Sequence, residues 1–281
     1  MRRILAVFSL AVFSGIVLAA PAAPRGSVVA FITDIKGEVA LDDARHPMLL
    51  AELAEGRKLS VMKNASLVVM FIQSGAEFSL KGQGEYEIRA ADIIALRGSS
   101  PTVRATRWRP DQGTVVEISK SATSSLRMRS AASSSARASA PVIQTDYPVD
   151  TRIATLQPTL RWGDAMNPYT IVVSTDGKEI FRGHAATNSL TLPITLFPGK
   201  KYVWAANSTT RQLGSMAFST LTLDELKRLA GLQPGAAASF SDRLMYALTL
   251  RSLGVRQDAN EIWRELAQER PDLPELEAFA R

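Results

Sequence analysis

The sequence contains no cysteine. That excludes a thiol nucleophile, cysteine-based zinc sites, disulfides and a lipid-anchored cysteine at a processed N-terminus. Histidine is nearly absent too: His46 and His184 are the only two and lie far apart in the chain. His46 precedes Pro47 in a loop, and His184 follows a glycine after a strand. A lone imidazole in such a setting is more often solvated than catalytic. No serine sits in a Gly-Xaa-Ser-Xaa-Gly context, and no glycine loop is spaced to cradle phosphate. Asp42-Asp43 lacks the alternating oxygen ligands of a calcium loop and reads as a turn. No cofactor or metal motif is present. Two distant carboxylates leave no sequence signature, so a paired-acid glycan hydrolase stays open at this level.

A long hydrophobic run occurs once. "MRRILAVFSLAVFSGIVLAAPAAP" starts with Arg2 and Arg3, continues apolar from Ile4 to Ala20, and leaves through small residues. This is the pattern of a secretory signal over residues 1–22, cut between Ala22 and Ala23. The alternative is an uncleaved anchor, since the run sits at the lower limit for a membrane span. The expectation is an exported protein, periplasmic if the source is a diderm bacterium. It would touch the membrane only through this segment, if uncleaved.

Lys and Arg number 33 against 27 Asp and Glu. The surplus is concentrated in residues 97–145, where Arg97, Arg104, Arg107, Arg109, Lys120, Arg127, Arg129 and Arg137 face only Asp111 and Glu117. Within it, "SATSSLRMRSAASSSARASA" is mostly serine and alanine and buries little. Arg104, Arg107, Trp108, Arg109, Arg127 and Arg129 are candidate contacts for an anionic envelope polymer or lipid head groups, with Trp108 as a stacking residue. The competing reading is a soluble linker kept extended by its arginines. Export argues against nucleic acid as the partner.

Residues 26–96 read as short strands punctuated by glycine, without helical periods. "IKGEVAL" and "LAEGRKLSVMKNASLVVMFIQSGAEFSLKGQGEYEI" resemble a FecR-like domain. The shared features are a Gly-Xaa-Val strand, the Leu53–Gly56 turn, an apolar strand and a glycine-bounded hairpin. The resemblance implies a curled β domain outside the cytoplasm. The sigma-factor relay of the best-known FecR proteins needs a cytoplasmic helical domain, and only Met1–Arg3 precede the apolar segment here. The exported module alone is therefore expected to carry over.

Residues 146–220 alternate around "TLQPTLRWG", "YTIVVS", "KEIFRG" and "KKYVWAANST". Asp176-Gly177 marks a type I′ hairpin. The spacing of Leu196, Pro198 and Tyr202 resembles the tyrosine corner of fibronectin type III and immunoglobulin-like domains. Trp162 and Trp204 suit a core, or alternatively a carbohydrate-binding face. Residues 221–281 change period. Thr222 and Glu225 form a capping-box pattern. A second helix near Asp242–Leu253 is apolar nearly all round, and a third carries Ala259, Ile262, Trp263, Leu266 and Ala267 on one stripe. These last two resemble one tetratricopeptide unit, with Ala247, Ala259, Trp263 and Pro271 at the matching positions. One unit buries too little to stand free. It is expected to pack on the sandwich, on the short helix near Leu226, or on another protein.

The fold class expected is multidomain and mainly β: an N-terminal FecR-like curled β domain, an immunoglobulin-like β-sandwich and a small C-terminal α-helical hairpin. The function expected is that of a non-enzymatic envelope binding or scaffold module acting through sheet edges and a helical surface. Its partner would be another envelope protein or an anionic envelope polymer. A membrane-anchored sensor and a glycan hydrolase are the alternatives.

Overall fold

The glycine-punctuated segment folds into ten short strands. The computed structural model describes residues 27–42, 44–109, 113, 115, 146–163, 168–208 and 214–280. The strands are β1 (Val28–Lys36), β2 (Val39–Leu41), β3 (Ala44–Arg45), β4 (Glu52–Ala54), β5 (Lys58–Val61), β6 (Ser66–Phe71), β7 (Glu77–Lys81), β8 (Gly84–Ile88), β9 (Ile93–Arg97) and β10 (Thr102–Arg104). They form two five-stranded sheets, ordered β10-β7-β6-β1-β4 and β3-β2-β5-β8-β9. Pairing continues beyond Leu96, because β10 adds to β7 in the register Thr102↔Ser79. Arg104 therefore belongs to the sheet.

The apolar run from Leu67 to Ile72 has a specific cause. Leu67, Val69 and Phe71 join the core between the two sheets, whereas Met70 and Ile72 join a second core on the other side. On β1, Ala30 and Ile32 face the first core and Phe31 the second. A sheet covered on both faces loses the polar half of its alternation.

A second set of strands follows: β11 (Thr151–Ile153), β12 (Thr159–Arg161), β13 (Tyr169–Thr175), β14 (Lys178–Ala185), β15 (Ser189–Thr191), β16 (Lys201–Asn207) and β17 (Met216–Thr220). One sheet runs β11-β17-β16-β13-β14, and β12-β15 forms the other, a sandwich-like arrangement. Asp176 and Gly177 both have positive φ, 49° and 74°, as the hairpin twist requires. Trp162, Trp204 and Tyr169 are fully buried, with the Trp162 and Tyr169 rings edge-on at 5.5 Å. The tryptophans thus fill the core and present no face to a sugar. The Tyr202 hydroxyl accepts from the Phe197 N–H at 2.8 Å and donates to its carbonyl at 3.2 Å.

The tail forms α1 (Leu223–Ala230), α2 (Phe240–Ser252), α3 (Arg256–Glu269) and α4 (Glu275–Phe279). The Thr222–Glu225 capping box is present, and Ser239 caps α2. The expectation named the sandwich, the short helix or another protein as the tail's support. The structure uses the first two and adds a third, the N-terminal sheets. Leu244, Met245, Leu248, Trp263 and Leu276 share one core with Phe31, Leu49, Leu50, Met70 and Trp108. This explains why α2 is apolar nearly all round: it lies between β1 and α3.

Polar bonds flank this core. The Leu49 N–H donates to Glu275 Oε1 at 2.8 Å. Arg270 pairs with Asp34 and donates to the Ile35 carbonyl. On the sandwich side, Gln257 Nε2 donates to the Asp146 carbonyl at 2.8 Å and Gln257 Oε1 accepts from the Val149 N–H at 2.7 Å. The tail thus joins two bodies far apart in sequence. Among the described residues, no helix is long and apolar enough to cross a membrane.

Candidate binding site

The stretch Arg104–Arg109 leaves the N-terminal sheet and runs against the tail. Its path is set at Gly75. A side chain there would put its Cβ 2.0 Å from the Trp108 carbonyl oxygen, and the residue holds φ +65°. Glycine meets both demands. Thr106 Oγ1 donates to the Gly75 carbonyl at 2.6 Å and accepts from the Trp108 N–H at 3.2 Å.

Trp108 is 2% exposed, and its indole Nε1 donates to Asp242 Oδ1 at 2.9 Å. Arg104 donates to both carboxylates that flank it: to Glu77 through Nε and Nη2 (3.1 and 2.9 Å), and to Asp242 Oδ2 through Nη1 (3.0 Å). Ser241 Oγ also donates to Glu77, at 2.9 Å. Burial alone would raise the Asp242 carboxyl, but the hydrogen bonds from Arg104, Trp108 and Ser239 outweigh it and hold it at about 2. The same two acids stabilise the Arg104 charge, Glu77 first. Arg104 and Trp108 therefore belong to a junction that ties β7 and β10 to the start of α2.

Arg107 and Arg109 point elsewhere. Together with Lys227 and Arg228, from the last turn of α1, they rim a cavity of about 540 Å³. Trp108, Leu232, Met245 and Leu248 form its wall and floor. Among the described residues, no carboxylate lines it. Arg107 donates to the Gln233 carbonyl at 3.2 Å, and Arg109 to the Trp108 carbonyl at 2.8 Å. Among the described residues, none of the four cations pairs with an acid. A smaller cavity of about 360 Å³ adjoins on the Arg104 side.

Of the residues expected to contact anions, Arg107 and Arg109 rim the cavity, Trp108 forms part of its wall while its indole N–H is taken by Asp242, and Arg104 lies in the junction. Arg127, Arg129 and the cleavage pair Ala22 and Ala23 fall outside the described residues. Lys227 and Arg228 were missed. The available signal was a pair of cations in the last turn of a capped helix, which also complements the helix dipole. Nothing local says that this turn meets Arg107.

Two other places carry titratable groups. A cavity of about 590 Å³ at the seam of sandwich and tail is lined by charges of both signs: Asp150, Arg152, Asp176, Lys201 and Arg256. Asp258, at the start of α3, is hydrogen-bonded to the Tyr147 phenol. Its burial pushes the carboxyl up to about 6, and Glu261 adds to the rise. Burial also raises the Tyr147 phenol. Arg161 lies over the Tyr147 ring, 4.8 Å from its centre. Asp258 lines none of these three cavities. His46 and His184 are both exposed, on different bodies. Among the described residues, no group of three or more acids and histidines could hold a metal ion. The chain matches no protein-family model and no curated protein.

Proposed function

We propose that this chain is a non-enzymatic exported envelope protein, a binding module that takes an anionic envelope polymer at the cavity rimmed by Arg107, Arg109, Lys227 and Arg228. The observation that carries the reading is the lining: four cations from two distant segments, an apolar floor and, among the described residues, no carboxylate. Like charges gathered around one cavity attract an anion and raise its local concentration. In this reading the N-terminal sheets are a FecR-like domain, the second body is an immunoglobulin-like sandwich, and α2 with α3 is a tetratricopeptide-like hairpin. The tail acts as the internal clamp that sets one half of the site against the other. Export through the N-terminal signal would place the site in the periplasm.

The test is titration with polyphosphate in low salt. The wild type should bind, and binding should weaken steeply as salt screens the site. Replacing Arg107, Arg109, Lys227 and Arg228 by alanine should abolish it without changing the melting temperature, since all four side chains are exposed. Binding that survives the four substitutions would sink the assignment.

A further inference from the structure

Among the described residues, the large apolar side chain most exposed to water is Phe197. It is 73% exposed, yet its backbone is held firmly. Its N–H donates to the Tyr202 hydroxyl at 2.8 Å, and its carbonyl accepts from Thr220 Oγ1 at 2.8 Å. The same loop bonds to the start of the tail: the Gly199 N–H donates to the Leu221 carbonyl at 2.9 Å. A Cβ on Gly199 would lie 3.5 Å from the Thr222 methyl. Thr222 is the cap of α1, and the next residue, Leu223, is 54% exposed. The corner and the helix cap therefore carry two apolar side chains on adjoining segments at the N-terminal end of α1.

Lys227 lies one turn beyond Leu223 on the same helix face, and it rims the cationic cavity. Lys200 follows Phe197 by three residues and is also exposed, 3.9 Å from Asp176. Of the carboxylates on α1, Glu225 is paired with Arg152, and Asp224 remains exposed beside Leu223. Isolated exposed apolar residues are ordinary. Here two of them sit on hydrogen-bonded supports, and Leu223 shares a helix face with Lys227, one of the cations that rim the cavity. An interfacial anchor combines these elements: apolar side chains enter the boundary between head groups and acyl chains, and cations meet phosphates.

We propose that this end is a peripheral docking face for an anionic bilayer, with Phe197 and Leu223 inserted and Lys227, Arg228, Arg107 and Arg109 against the lipid phosphates. The inference rests on the anion-binding reading of the cavity. The absence of cysteine supplies a local probe. Phe197→Cys and Leu223→Cys, each carrying a polarity-sensitive dye, are titrated with phosphatidylcholine vesicles with and without phosphatidylglycerol. Ile94→Cys on β9, 41% exposed, serves as the control. Both dyes should shift to the blue with phosphatidylglycerol and stay unchanged without it, while the control stays silent. Alanine at the four cations should weaken the response by about tenfold or more. A silent dye at 197 and 223, or an equal response at 94, overturns the inference. If polyphosphate still binds in that case, the polymer site stands and only the membrane assignment fails. If polyphosphate does not bind either, both fail.

Discussion

Asp242→Asn isolates the charge that holds the N-terminal sheets to the tail. The carboxyl sits at about 2, against an ordinary value of 3.8. Because the folded value is lower than the unfolded one, the charge stabilises the fold above pH 3.8, and the contribution disappears as pH falls toward 2. The gap corresponds to about 2.5 kcal/mol at neutral pH. The Arg104 side chain is 46% exposed, so solvent screening brings the expectation nearer 1.5–2 kcal/mol. The asparagine keeps Oδ1 as the acceptor for the Trp108 indole, but its NH2 replaces the oxygen that accepts from Ser239 and Arg104, so the pH dependence of the loss is what reads the charge. The assay is urea unfolding of wild type and variant from pH 7 down to pH 2.5, followed by tryptophan emission. The difference between the two should be about 2 kcal/mol at pH 7 and roughly half that at pH 3. A difference of the same size at both ends of the range would refute the reasoning, since a lost packing contact does not titrate. So would a variant as stable as wild type at pH 7.

Asp258 should behave in the opposite sense. Its folded value of about 6 lies above 3.8, so its charge opposes folding, and stability falls as pH rises from 4 to 6. Asp258→Asn should raise stability at pH 7 by about 1–3 kcal/mol and change little at pH 4, as thermal melts at the two pH values will show. Arg270→Ala removes a side chain that is 10% exposed, leaving Asp34 and the Ile35 carbonyl without its guanidinium. It should cost about 2–4 kcal/mol and raise hydrogen exchange in β1. Tyr202→Phe strips the hydroxyl that serves the Phe197 N–H and carbonyl. The expected cost is about 1–3 kcal/mol, measured by denaturant unfolding.

The strands of both β bodies were legible because their signals are short-range: apolar alternation, glycine at turns, and Asp176-Gly177 with two positive φ values. The α1 cap was equally plain, since Thr222 and Glu225 are three residues apart and bond to each other. The run at Leu67–Ile72 was visible as strongly apolar, but its cause was not. A strand buried on both faces looks the same whether its second cover is a helix or another sheet. The end of the N-terminal body was also hidden. Residues 97–109 are basic and read as linker, yet Thr102–Arg104 closes one sheet and Trp108 enters the tail's core. Sheet pairing and an acid 134 positions downstream of Trp108 decide that, and neither leaves a local mark.

The residue order alone determined where strands, turns and caps form, because dihedral preference and hydrophobic period act over a few neighbours. It also located the basic surplus. Only the tertiary structure decided which cations are spent and which remain. Arg104 closes on Glu77 and Asp242, whereas Arg107 and Arg109 are left to meet Lys227 and Arg228 around one cavity. Electrostatic partners are chosen by distance in space, and that distance is set by how the apolar faces of β1, β6 and α2 close on one another.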